Sequence, residues 1–158
     1  MRKENRLFII SVLTAAMMLL AGCARSSEYP PVDIDSETDI CIKCNMHVPD
    51  DMFGVEYITK SGDVKKFDDL GCMIKYMNGS TDDIANVYVM DYLTEEWIDA
   101  ERATYVNDPE IITPMSNGVV SFKTKEDAEQ FVTEREQGEI FDYEALLTFE
   151  WPQRNSKD

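Results

Sequence analysis

From residue 54 onward, apolar and polar positions fall into short runs separated by turn residues, and the period of those runs changes twice. Residues 54–59 (Gly-Val-Glu-Tyr-Ile-Thr) alternate with period two and predict a strand. Ser61-Gly62-Asp63 is a turn signal, which makes 64–67 the return strand of a hairpin. The period then lengthens. Leu70, Met73, Ile74 and Met77 lie three and four residues apart, predicting a helix capped by Asp68 or Asp69 and stopped at Asn78-Gly79. Residues 86–92, centred on Val87, Tyr88 and Val89, predict a further strand.

The same order recurs in the second half. Residues 96–100 and 103–106 are short β-prone pieces, and 118–122 is a clearer strand. Thr124 opens Thr-Lys-Glu-Asp, a variant of the capping box, ahead of a helix whose Ala128, Phe131 and Val132 share one face. Gly138 is the expected end of that helix; residues 139–141 follow as a strand and 143–147 as a helical tail. Strand–strand–helix–strand therefore appears twice, with Phe67 matched to Phe122. The expected fold class is α+β, with two topologically similar ββαβ units spanning 41–92 and 93–150 and a tail at 151–158. Each unit alone would be marginal, so the two are expected to pack together.

The N-terminal part has a different character. Arg2, Lys3 and Arg6 precede an apolar run over 7–20, the layout of an export signal. Leu20-Ala21-Gly22-Cys23 resembles a bacterial lipobox, so 1–22 is expected to be removed and Cys23 to carry the lipid. Residues 23–40 are polar and acidic, contain Pro30-Pro31 and show no apolar period, as befits a flexible tether. The expected location is the cell membrane, facing outside the cytoplasm.

Charge removes one class of partner. A formal net charge of -16 over 158 residues leaves too few Lys and Arg to neutralise phosphates, so no nucleic acid is expected. Loss of the basic signal makes the mature chain more acidic still. With Cys23 lipidated, Cys41, Cys44 and Cys72 remain, and an odd number of thiols cannot all pair within one chain.

The chemistry concentrates in Cys41-Ile42-Lys43-Cys44-Asn45-Met46-His47, which holds two thiols, a thioether and the sole histidine of the chain. Three readings are open. Cys41 and Cys44 can serve a thiol–disulfide oxidoreductase, although Pro49 favours a loop over the helix that usually activates such a thiol. Cys41, Cys44, His47 and Cys72 can surround zinc in an interaction module. Alternatively Cys44 and Met46, two positions apart, meet Met115 around Cu(I), which accepts few and soft donors. Met115 follows Thr113-Pro114 and precedes Ser116-Asn117-Gly118, a loop setting in which an apolar side chain needs a reason. No serine–histidine or paired-carboxylate arrangement suggests an enzyme, and Asp68-Asp69 reads as a helix cap.

Several segments in this order resemble the NosL family of copper-chaperone lipoproteins, which support assembly of nitrous oxide reductase. They are the lipobox ending at Cys23, Cys-Ile-Lys-Cys-Asn-Met at 41–46, Lys-Phe-Asp-Asp-Leu-Gly-Cys-Met at 66–73, Asp-Tyr-Leu-Thr-Glu-Glu-Trp-Ile-Asp-Ala at 91–100, Ala-Thr-Tyr-Val at 103–106 and Thr-Pro-Met at 113–115. The resemblance implies two ββαβ units related in topology to the organomercurial lyase fold. It implies a Cu(I) site at Cys44, Met46 and Met115, with Cys41 and His47 as further candidate ligands and Asn45 standing where the family often has glycine. It also implies a copper-dependent exported apoenzyme, nitrous oxide reductase with its maturation machinery, as the partner, and a membrane bound through the lipid on Cys23.

Overall fold

The turn at Ser61-Gly62-Asp63 sets the first sheet. Gly62 sits at φ 90°, which glycine adopts without a Cβ clash, and the Thr59 N–H donates to the Asp63 carbonyl at 3.0 Å. In the computed structural model, which describes residues 28–151, this turn joins β1 (Val55–Thr59) to β2 (Val64–Phe67) in antiparallel register, Val55 opposite Phe67. Helix α1 (Leu70–Met77) carries the chain to β3 (Ile84–Met90), which pairs with the other edge of β1. β4 (Trp97–Asp99) pairs with β3, so the sheet order is β2-β1-β3-β4.

A single 3₁₀ turn, Ala100–Arg102, leads to the second sheet. It comprises β5 (Thr104–Asn107), β6 (Val119–Phe122) and, after helix α2 (Lys125–Arg135), β7 (Glu139–Phe141), in the order β6-β5-β7. A short helix α3 (Tyr143–Leu147) follows. In each sheet the first strand of the set lies centrally and a helix joins its two neighbours, so the doubled ββαβ order read from the sequence is the order of the fold.

Two local expectations shift. Residues 97–99 lie in the segment grouped with the second half, yet they pair with β3 of the first sheet, Val89 opposite Ile98. Helix α2 stops at Glu136 in the left-handed region (φ 57°), two residues before Gly138, which instead takes φ 118° in the turn into β7. The Thr124 cap is as expected, its side chain accepting the Asp127 N–H at 3.1 Å.

The chain divides at Pro30–Pro31 into two units, and every strand and helix described here lies in the second. The signal at 1–22, Cys23, the first part of the tether and the tail beyond Trp151 fall outside the described residues. No described helix is long and apolar enough to cross a membrane.

The main core runs from Cys41 and Val48 through Phe67, Met73, Ile74 and Val89 to Tyr105, Leu146 and Trp151. A smaller one beneath α2 holds Val106, Val120, Phe122 and Ala128. At the seam between the sheets, Ser121 Oγ donates to the Met90 carbonyl at 2.6 Å and the Tyr92 N–H to the Ser121 carbonyl at 2.8 Å.

Two buried carboxylates position the chain around the thiols. Asp69 caps α1, its Oδ1 accepting the Cys72 N–H at 2.9 Å. It also accepts from Thr113 Oγ1 (3.1 Å), the Met115 N–H (3.0 Å) and Asn117 Nδ2 (3.0 and 3.1 Å). The loop between β5 and β6 is thereby fastened to the start of α1. Gly71 makes that approach possible: a Cβ there would overlap the Asn117 side chain and press on the Trp151 ring. Glu56 on β1 is fully buried, and its Oε1 accepts the Val32 N–H at 2.8 Å, holding the segment that leads to the cysteine loop. Lys66 secures the same segment through the Asp33 carbonyl and the Asp39 carboxylate, both at 2.6 Å.

Removing the Asp69 carboxylate orphans several buried donors, so Asp69→Ala should cost about 3 kcal/mol or more. Denaturant midpoints measure this, and a loss under about 1 kcal/mol would show that the loop holds without it. Glu56 supplies a pH signature. Burial pushes its carboxyl from the ordinary 4.5 up to about 7, so the folded chain holds this proton more tightly than the unfolded one. That contribution is complete below pH 4.5 and is lost as pH rises to about 7. Glu56→Gln has no proton to lose, and its stability relative to the parent should therefore climb across this window. A pH-independent difference in urea midpoints would refute the assignment.

Candidate metal centre

Residues 41–46 form a closed loop whose shape follows from one residue. Ile40 and His47 make an antiparallel bridge, and inside it the Cys41 N–H donates to the Met46 carbonyl at 2.7 Å and the Asn45 N–H to the Cys41 carbonyl at 2.9 Å. Asn45 turns the chain at φ 62°, a conformation that glycine and asparagine adopt far more readily than other residues. Asparagine can therefore stand where the resemblance expects glycine. The Ile42 N–H donates to the Lys66 carbonyl at 3.2 Å, laying the loop on the edge of β2.

This fold brings three thiols together. Cys41 points inward and has no exposed surface, Cys44 is half-buried, and Cys72, the third residue of α1, is 3% exposed. All three are free thiols. Their sulfurs and a carboxylate oxygen of Asp68 all lie within 4.8 Å of one another. Cys44 Sγ donates to Asp68 Oδ2 at 3.2 Å. Asp68 is fully buried, and its Oδ1 has no hydrogen-bond partner.

The thiols share protons unequally. A hydrogen bond from the Cys72 thiol holds Cys41 down at about 6, against the opposing effect of burial. Burial, reinforced by Asp68 and Cys41, pushes Cys44 up to about 12. Cys72 is raised as well, first by serving as donor to Cys41 and then by burial and by Asp68. One negative charge forms readily in the cluster and opposes the next.

Met115 reaches this place from the other sheet. Thr113 Oγ1 accepts the Asn117 N–H at 2.9 Å and donates to Asp69, so the Thr-Pro-Met segment is held as a rigid turn with Ser116 at φ 51°. Met115 is half-buried and shares one open cavity of about 900 Å3 with Cys44 and Cys72. Lys43, Lys75 and Trp151 line the same cavity. Lys75 Nζ donates to Asn117 Oδ1 at 3.2 Å and lies 5.6 Å from the centre of the Trp151 ring.

The other candidate residues lie differently. Met46 is on the thiol loop, 42% exposed, and is not among the residues lining that cavity. Cys44 and Met46 do not share the face of an extended segment, as their spacing suggests, because the left-handed Asn45 between them breaks the alternation. The His47 Nδ1 lies 3.2 Å from the Ser36 carbonyl, and the residue is not part of the four-donor cluster. Asp68 takes the place that the zinc reading gave to His47. Reading Asp68-Asp69 purely as a cap missed this role. A cysteine in the first turn of the helix they precede was the available signal, because it puts thiol and carboxylates at one helix end.

Comparison with known proteins agrees with this picture. The sequence model of the NosL family matches residues 31–148. Among solved structures, the crystal structure of the copper chaperone NosL from Shewanella denitrificans is similar in fold, with a TM-score of 0.64 at 24% sequence identity, covering 73% of this chain and 94% of that one. No curated protein matches the chain by sequence. With a family match over most of its length and a cysteine cluster able to hold a metal ion, the chain belongs to the NosL family.

Proposed function

We propose that this protein is an exported, lipid-anchored Cu(I) chaperone that passes copper to a copper-dependent apoenzyme outside the cytoplasm. The observation that carries this reading is the shared cavity of Cys44 and Met115. Segments from opposite sheets place a thiol and a thioether around one open space, and that donor pair suits a soft monovalent ion. Cys44 supplies the strong bond as thiolate, with release of its proton. Met115 supplies a neutral donor whose backbone is fixed by Asp69. Met46, exposed on the thiol loop outside that cavity, is the third donor of the proposed set and must turn inward to reach the ion.

Low coordination in an open cavity is what transfer requires. A two- or three-coordinate ion leaves a face that a recipient's ligands can enter, so copper moves by ligand exchange without being released into water. The fold match to a protein described as a copper chaperone supports the same reading. The family resemblance points to nitrous oxide reductase as recipient, with the lipid on Cys23 keeping the chaperone at the outer face of the membrane. Cys41 backs Cys44 from the buried side, whereas His47 is engaged with the Ser36 carbonyl.

Cu(I) competition with a chelator of known affinity tests the ligand set. Met115→Ala and Met46→Ala should each weaken binding about tenfold or more, corresponding to ~1.4 kcal/mol, with the fold retained. Cys44→Ser should remove most of the affinity. An unchanged dissociation constant in Met115→Ala would overturn the proposed site.

A further inference from the structure

We propose that copper reaches this protein as an anionic Cu(I) complex of a small ligand, which the cavity outside Cys44 receives beside Lys43 and Lys75. The proposal deepens the copper reading and rests on it, since the exchange ends on Cys44 and Met115.

The placement of charge carries it. The chain is strongly acidic, with a formal net charge of -16. Among the described residues, every lysine and arginine sits in an ion pair with a carboxylate except Lys43, Lys75 and Arg102. Two of those three line the cavity that Cys44 and Met115 share. Lys43 is exposed on the thiol loop, and Lys75 is half-buried on α1. Neutral groups hold the Lys75 ammonium: Asn117 Oδ1 accepts from it at 3.2 Å, and the centre of the Trp151 ring lies 5.6 Å away. Asn117 is itself fixed by Asp69 through its Nδ2, so the positive charge is positioned without an acid being spent on it. Glu150 is the one carboxylate among the lining residues, which leaves the lining with an excess of positive charge.

The size of the cavity is the second observation. At about 900 Å3 it falls within the range of about 300–1,000 Å3 usual for small-ligand sites, and a bare ion occupies a small part of that. Phe149 and Trp151, with ring centroids 4.9 Å apart, give it an apolar wall against which the organic part of a ligand can lie.

Coordination chemistry supplies the sign of the ligand. Cu(I) is held by soft donors, and two thiolates around one Cu(I) leave a net negative charge before any carboxylate on the carrier is counted. Most of this acidic surface repels such a complex, and the two lysines without acidic partners attract it. The exchange then balances without a redox step. Cys44 bonds to copper as thiolate, and its proton leaves on one displaced carrier thiolate as a free thiol. The other carrier thiolate departs as an anion when Met115 takes its place. Copper stays Cu(I), and the charge that the complex brought leaves with that anion. Lys43 and Lys75 act on the arrival and departure of the carrier, whereas Cys44 and Met115 retain the ion.

Stopped-flow transfer of Cu(I) tests this on the full chain, reduced and in detergent without oxygen. Two coloured donors serve as probes, the anionic bicinchoninate complex and the cationic neocuproine complex, and loss of colour reports transfer. The readout is the ratio of the rate from the anionic donor to that from the cationic one. The double variant Lys43→Gln/Lys75→Gln should lower this ratio about fivefold or more, and Lys43→Gln alone about threefold. Lys43→Arg/Lys75→Arg should restore it, and added salt should shrink the ratio of the parent toward that of the double variant. Lys60→Gln, which removes an exposed cation outside the cavity, should leave the ratio within about twofold, the error expected for a bystander charge. Circular dichroism confirms the fold of each variant. An unchanged ratio in the double variant would overturn the proposal and leave the lysines to an acidic partner surface. An equal fall with both donors would also overturn it, by showing that the lysines support the copper ligands themselves. Failure of the copper reading looks different, because the parent chain would then take Cu(I) from neither donor.

Discussion

A carboxylate buried at the junction of two sheets organises this molecule. Asp69 is 2% exposed, and burial raises its pKa, while hydrogen bonds from Cys72, Asn117 and Met115 act in the opposite direction. Taking a charged group out of water is unfavourable unless such donors surround it. Here the donors come from α1 and from the loop between β5 and β6, two regions far apart in sequence. The charge is tolerable only when both regions are in place, so it acts as a latch between the two halves.

The neighbouring Asp68 faces the other way for a simple reason. The backbone at Asp69 is extended (φ -158°, ψ 169°), and side chains of successive residues on extended chain point to opposite sides. One carboxylate grips the Thr-Pro-Met turn; its neighbour accepts the Cys44 thiol. Two adjacent acids thus set both walls of the candidate centre, the thioether wall and the thiol wall. Gly71 contributes by what it lacks, since any side chain there would hold the turn away from α1.

The centre combines features that oppose one another. Cys44 and Met115 are half-buried on an open cavity, where an incoming group can reach them. Free thiols that water cannot reach are protected from chance oxidation, and Cys41 and Cys72 are shielded by the core. Placing Cys44 on the boundary lets one residue serve the open face and the buried cluster together.

The sequence by itself determined the local elements, because these depend on interactions between near neighbours. The alternation at 54–59, the Ser-Gly-Asp turn and the three-and-four spacing from Leu70 to Met77 each name their element without reference to the rest of the chain. It also drew attention to the Cys41–His47 segment by composition and to Met115 by its loop context, while leaving open which chemistry they serve. Tertiary structure alone decided which sheet received Trp97–Asp99, since strand pairing is a choice among distant partners of similar propensity. It likewise decided that Asp68 and Cys72 join Cys41 and Cys44, and that Met46 stays outside the cavity. Those outcomes turn on the left-handed Asn45 and on the burial of two adjacent carboxylates, and the direction a side chain takes becomes fixed only when the surrounding core closes around it.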